Sequence, residues 1–137
     1  MFVKKALITG ITGMVGSHLA DFLLKNTDWQ IHGMCRWRSP DDNVRHLFPR
    51  INKKDRLFFH YGDLCDYISL QNVIQDIKPD YVFHLAAQSY PQTSFVAPID
   101  TLNTNILGTA KLLEAIRLSK LHPVIHICAS SEVFGKV

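Results

Sequence analysis

Short apolar runs alternate with stretches of helical periodicity along the whole chain. Val3–Thr9 predicts a first strand, and Met14–Lys25 a helix with Val15, Leu19, Phe22 and Leu23 as its apolar stripe. Gln30–Cys35 predicts a second strand, then a long polar connection from Arg36 to Asp55, then a third strand over Arg56–His60. Leu70, Val73, Ile74 and Ile77 recur at helical spacing behind Asp66, a residue type suited to cap a helix start. Pro79-Asp80 closes that unit, Tyr81–Leu85 predicts a fourth strand, and Pro98 opens a further helix. The stripe expected for that helix is Ile99, Leu102, Ile106, Ala110 and Leu113, and Pro123–Ala129 follows as a fifth strand.

Near-continuous apolar strands such as Val82-Phe83-His84-Leu85-Ala86 imply burial on both faces. The predicted fold is therefore α/β, a Rossmann-type doubly wound parallel sheet of about five strands with flanking helices and right-handed crossovers. Sheets of this kind bind ligands at the carboxyl ends of their strands, so the turns after the five strands are the place to look.

Composition narrows the picture. The 137 residues read as one domain able to bury a sizeable core, and 47% hydrophobic with 20% charged residues is ordinary for a soluble globule. No apolar stretch reaches membrane-spanning length, and Met1-Phe2-Val3-Lys4-Lys5 leads into a strand rather than a signal sequence. Cys35, Cys65 and Cys128 are widely spaced and odd in number, which predicts reduced, buried thiols in a cytoplasmic protein. Net charge is +3, densest at Arg36, Arg38, Arg45, Arg50, Lys53, Lys54 and Arg56 and diluted by Asp41, Asp42 and Asp55. No helical or aromatic-interleaved recognition motif accompanies these charges, so nucleic acid is not the expected partner. Apart from Arg36 and Arg38, most of them read as a solvated loop.

The most informative junction is Thr9-Gly10-Ile11-Thr12-Gly13-Met14-Val15-Gly16, where a buried strand stops and a helix begins. Glycine permits the tight turn and close backbone approach, and a helix start carries free N–H groups and partial positive charge. That suits a pyrophosphate, although the spacing is Gly-x-x-Gly-x-x-Gly rather than Gly-x-Gly-x-x-Gly. The expectation is a dinucleotide site. After strand two, a carboxylate would normally meet the ribose 2′-hydroxyl of NAD. Arg36 and Arg38 stand there instead, and guanidinium forks match a 2′-phosphate, which favours NADP.

After strand three, Asp63 could accept from an adenine amine or form an Asx turn, and Leu64 could pack on the ring. After strand four, Leu85, Ala86, Ala87 and Ser89 place small residues where backbone passes close to a cofactor, with Gln88 beside them; His84 reads as a satisfied core histidine. His122 and His126 are separated by Pro123 and a strand, so no metal is expected. After strand five, Ser130 and Glu132 stand two apart, and in extended chain both would project into the crevice as a hydroxyl beside a carboxylate.

Taken together, Thr9-Gly-x-x-Gly-x-x-Gly16, Gly62-Asp63-Leu64, His84-Leu85-Ala86-Ala87, Asn105 with Gly108-Thr109, and Ser130-Ser131-Glu132-Val133-Phe134-Gly135 resemble the extended short-chain dehydrogenase/reductase superfamily, in its nucleotide-sugar branch. Gly10-Ile11-Thr12-Gly13, Arg36, Ala87-Gln88-Ser89 with Ser94-Phe95, and Leu112–Arg117 resemble the GDP-mannose 4,6-dehydratase family within it. The resemblance implies NADP as cofactor, a GDP-hexose as substrate and a homo-oligomeric full-length enzyme. It implies that hydride leaves and later returns to the sugar through NADP while Ser130 binds the C4 oxygen. Glu132 would remove the C5 proton and assist loss of water from C6, and Gln88 and Ser94 would contact the sugar. Epimerases, reductases and decarboxylases of the same superfamily are the sister readings.

Two features depart from the pattern. Arg36-Trp37-Arg38-Ser39-Pro40 differs from the usual Arg-Arg-Ser loop, and the family's Tyr-x-x-x-Lys is missing. Tyr61, Tyr67, Tyr81 and Tyr90 are followed at the fourth place by Cys65, Gln71, Leu85 and Ser94. The expectation is an N-terminal portion of a dehydratase that holds NADP without turning over, or alternatively a non-catalytic NADP-sensing domain.

Overall fold

In the computed structural model, residues 2–51 and 55–135 are described; Lys53 and Lys54 of the basic cluster lie outside them. Five strands, β1 Lys5–Thr9, β2 Gln30–Cys35, β3 Leu57–Tyr61, β4 Tyr81–His84 and β5 Val124–Ile127, form one parallel sheet in the order β3-β2-β1-β4-β5. The order reverses between β1 and β4, and this switch point opens the crevice where ligands of such sheets sit.

Alternate residues of each strand feed two cores. Ala6 and Ile8 of β1 join Ile31, Leu57 and the helix α1, Met14–Asn26, on one face. Leu7, Met34 and Val82 join α2, Tyr67–Ile77, and α5, Gly108–Leu118, on the other. The α1 stripe differs from expectation: Val15 and Phe22 are exposed, and Gly16, Ser17, Ala20, Leu23 and Leu24 are buried. A β-carbon at Gly16 would collide with the Gly10 carbonyl, so α1 rests on its small residues and its large ones near the start turn outward.

The polar connection is not structureless. Asp42–Arg50 forms a 3-10 helix that sends Val44 and Leu47 into the core. Its charges lie at the surface, as a solvated loop would have them, and are paired there: Arg45 with Asp41 and Asp42, and Arg50 with Asp55. Arg56 donates to the carbonyls of Leu24, Thr27 and Trp29, closing the C-terminal end of α1 with a cation.

The helix opened by Pro98 also differs. α3, Pro91–Val96, precedes α4, Pro98–Leu102, and a π-turn over Asn103–Leu107 joins α4 to α5. No residue of α3, α4 or the π-turn is buried, so Ile99, Leu102 and Ile106 are exposed; α5 then buries Gly108, Leu112, Ala115 and Ile116 and leaves Leu113 outward. Thr101, Asn105 and Thr109 face the chain instead and make polar contacts, described next.

Candidate functional site

The start of α1 sits at the switch point. Gly10 has φ 73°, and a β-carbon on it would lie 2.9 Å from Ala86 Cα, so the first turn packs directly on the exit of β4. A side chain at Gly33 would likewise meet Ile11, which locks the turn onto β2. The N-cap of α1 is Gly13, with no side-chain cap and no acid in the first turn. The N–H groups of Met14, Val15 and Gly16 therefore lack an intrahelical acceptor. α2 shows the contrast: Asp66 accepts from Ile68 and Ser69 N–H and closes that start with its own carboxylate. One helix caps itself, and the other leaves its positive end open to an anion. Asn43 of the 3-10 segment donates to the Thr12 carbonyl at 2.9 Å and braces the turn from outside.

Behind the turn runs a polar chain in which every proton has one place. Thr109 donates to the Asn105 carbonyl at 2.7 Å, so its oxygen accepts from His84 Nε2–H at 2.9 Å. His84 Nδ1 then accepts from the Thr9 hydroxyl at 2.8 Å, and the Thr9 oxygen accepts from the N–H groups of Leu85 and Ala86. Burial holds the His84 pKa below its ordinary value, keeping the ring neutral as this network requires. His84 is thus a satisfied core histidine, and it fixes the backbone exit of β4. The Asn105 side chain continues the brace by accepting from Gln88 N–H and donating to Gln88 C=O. Sequence reasoning singled out Thr9, His84, Asn105 and Thr109 without connecting them, because the contacts join residues far apart in the chain.

The remaining predicted residues fall as follows. Arg36 and Arg38 are exposed after β2, their side chains without a hydrogen-bond or ion-pair partner among the described residues. Asp63 forms the Asx turn, Oδ1 accepting from Cys65 N–H. Of the three thiols expected to be buried only Cys35 is, since it ends a central strand; Cys65 and Cys128 lie exposed after β3 and β5. Leu64 is buried against Gly108 and offers the crevice little surface. Ala87 and Ser89 are exposed at the mouth. Gln88 donates to Thr101 and accepts from Tyr90 N–H, and Ser94 donates to the Pro91 carbonyl.

Ser130 and Glu132 are exposed, but only Ser130 keeps extended backbone, at φ -99° and ψ 151°. A 3-10 turn runs over Ser131–Phe134, and Ser130 Oγ caps it by accepting from Glu132 N–H at 3.1 Å. The same-face argument from strand alternation therefore does not hold here; the turn draws Glu132 back toward Ser130 by a local cap. Among the described residues no group of three or more His, Cys, Asp or Glu gathers to hold a metal, and no helix is long and apolar enough to cross a membrane.

A parallel sheet ordered 3-2-1-4-5, with a glycine turn at its switch point and an open helix start, defines a Rossmann domain of the short-chain dehydrogenase/reductase type. A family model described as GDP-mannose 4,6 dehydratase matches residues 7–137, and the chain belongs to that family. It is 41% identical to the GDP-mannose 4,6 dehydratase of Drosophila melanogaster over 98% of its own length and 35% of that protein's. Against the GDP-mannose 4,6-dehydratase of Vibrio cholerae the figures are 41%, 98% and 37%. Among solved structures it resembles the UDP-glucose 4-epimerase of Thermus thermophilus in complex with NAD, at 27% identity and TM-score 0.72, covering 86% of this chain and 35% of that one. The chain thus spans about a third of the length of the curated relatives it matches.

Proposed function

We propose that these residues form the NADP-binding domain of a nucleotide-sugar 4,6-dehydratase acting on a GDP-hexose, and that they bind the dinucleotide without turning over on their own. The observation that carries this reading is the uncapped, acid-free start of α1, set against the switch point where a self-capped helix would bind nothing. Its N–H groups hold the diphosphate. Arg36 and Arg38, exposed and with side chains unpaired among the described residues, take the 2′-phosphate. The second oxygen of Asp63 accepts from the adenine amine, and Leu85, Ala86, Ala87 and Ser89 line the path of the nicotinamide half. NADP, when bound, supplies the acceptor and donor of hydride.

Ser130 accepts from Glu132 N–H and still has its own proton to donate to a sugar oxygen. Glu132, exposed beside it, is the base for the C5 proton and assists departure of water from C6. Gln88 keeps a second amide N–H and Ser94 its lone pairs, and these would meet sugar hydroxyls. The exposed apolar face of Ile99, Leu102 and Ile106 supports a homo-oligomeric enzyme, and three free cysteines support a cytoplasmic one.

Calorimetric titration of the chain with NADP⁺ and NAD⁺ tests the reading. NADP⁺ binds more tightly, and Arg36→Ala erases most of the difference, about tenfold or more for a charge-assisted phosphate contact. Equal affinity for the two in the wild type overturns the NADP assignment. A 4-keto sugar formed from GDP-mannose by these residues alone overturns the expectation of inactivity.

A further inference from the structure

At the carboxyl ends of β2 and β3 stand two aromatic side chains that the core does not use. Trp37 is 75% exposed and Tyr61 60% exposed, and their rings meet edge to face with centroids 4.6 Å apart. Cys35 and Tyr61 are register partners, so the pair sits where the two strands open into the crevice. Both rings line a recess of about 250 Å³, together with Thr12, Cys35, Arg36 and Phe59 among others. That is smaller than the ~300–1,000 Å³ of sites enclosing a whole drug-sized ligand, so the recess suits one part of a larger molecule. Thr12 ties it to the glycine turn, and Arg36 brings a cation to its wall.

Geometry decides which part. With the diphosphate at the start of α1, the half of the dinucleotide that reaches β2 and β3 is the adenosine half, and the half that reaches β4 and β5 carries nicotinamide. We infer that Trp37 stacks on the adenine ring, with Tyr61 supporting it edge-on, and so determines affinity for the adenosine end. The inference rests on the dinucleotide reading above and adds to it a residue that reads the base rather than the phosphates. An exposed indole has an open π-face, adenine has one too, and the contact needs no hydrogen bond. The ligand class is a purine nucleoside 2′-phosphate. Tyr61 fixes the indole in advance, so less side-chain freedom is lost on binding.

The test is calorimetric titration of the chain with adenosine 2′,5′-bisphosphate, NADP⁺ and nicotinamide mononucleotide, on wild type, Trp37→Ala and Trp37→Phe. Trp37→Ala weakens the bisphosphate and NADP⁺ together by about 5- to 150-fold, the range for removing one aromatic partner from a base. Trp37→Phe recovers most of that loss, and nicotinamide mononucleotide is unaffected by either change. Because Trp37 lies largely outside the core, the thermal melts of the variants coincide with wild type. Wild type and Trp37→Ala binding the bisphosphate within twofold of each other overturns the stacking role and leaves the dinucleotide reading standing. Wild type binding neither NADP⁺ nor the bisphosphate overturns both.

Discussion

Replacing His32 with leucine probes the most strongly perturbed titrating group of the fold. His32 is almost wholly buried, stacks on Phe58 with centroids 4.9 Å apart, and places Nδ1 2.9 Å from Nε2 of His60. Its own Nε2 is enclosed without a hydrogen-bond partner among the described residues. Burial foremost, then the neighbouring His60 and Lys5, lower its pKa from 6.5 to about 4. His60 is lowered as well, by burial, with Asp76 of α2 acting in the opposite sense. A histidine whose folded pKa lies below its unfolded value contributes stability that is complete above about pH 6.5. That contribution falls away toward pH 4, because the unfolded chain takes the proton first. The gap is worth about 3 kcal/mol at ~1.36 kcal/mol per pH unit, and screening along the open edge of β3 reduces the realised loss to about 2 kcal/mol. Urea unfolding followed by circular dichroism at about pH 7.5 and about pH 4.5 measures it by linear extrapolation. Asp55 and Asp80, held below their ordinary 3.8 chiefly by the Arg50 side chain and by the Lys5 backbone N–H, give up their contribution only at more acid pH. Wild type is expected to lose about 2 kcal/mol more than His32→Leu across this interval, because His60 and His84, also lowered by burial, contribute in both proteins. Equal losses in the two proteins would refute the assignment.

Two further outcomes concern the frame of the site. Gly16→Ala forces a β-carbon onto the Gly10 carbonyl and the Ile11 backbone; an overpacking cost of about 1–3 kcal/mol and weaker dinucleotide binding are expected in urea unfolding and calorimetry. An unchanged urea midpoint would show that α1 does not rest on Gly16. Thr109→Val removes the acceptor of His84 Nε2–H at nearly constant volume, costing about 1–3 kcal/mol, while Thr109→Ser stays near wild type. Equal stability of the valine and serine variants would remove the polar chain from the account.

The middle of the sheet was legible because buried parallel strands announce themselves as apolar runs: β1 and β2 are buried almost throughout, and β2 falls on Gln30–Cys35 as its residues predict. Asp66 was legible for a similar reason, since capping is decided within a few residues. The failures share a cause of the opposite kind. The stripe at Ile99 and Ile106 assumes a buried apolar face, whereas no residue of α4 or the π-turn is buried and the contact made there is polar, between Asn105 and Gln88 far from it in sequence. The 3-10 helix at Asp42–Arg50 buries only Val44 and Leu47, too few apolar positions to stand out in a polar stretch. For Ser130 and Glu132, the assumption of extended chain gave way to a local hydrogen bond that any Ser two residues before an N–H can form. The Thr9–His84–Thr109 chain carries no local periodicity at all, so only tertiary structure reveals it.

That chain has a consequence for how the domain can change over time. Each of its hydroxyls gives to one neighbour and takes from another, and the ring gives at Nε2 and takes at Nδ1, so an apolar residue at Thr9, His84 or Thr109 alone leaves a partner unsatisfied. Viable exchanges there should arrive as matched sets, for instance apolar residues at all three places together with water taking over from Thr9 as acceptor for the Leu85 and Ala86 N–H groups, which would lose their common anchor. The exit of β4 would then be set by packing alone, and the half of the crevice beside β4 and β5 is where a new specificity would find room to begin.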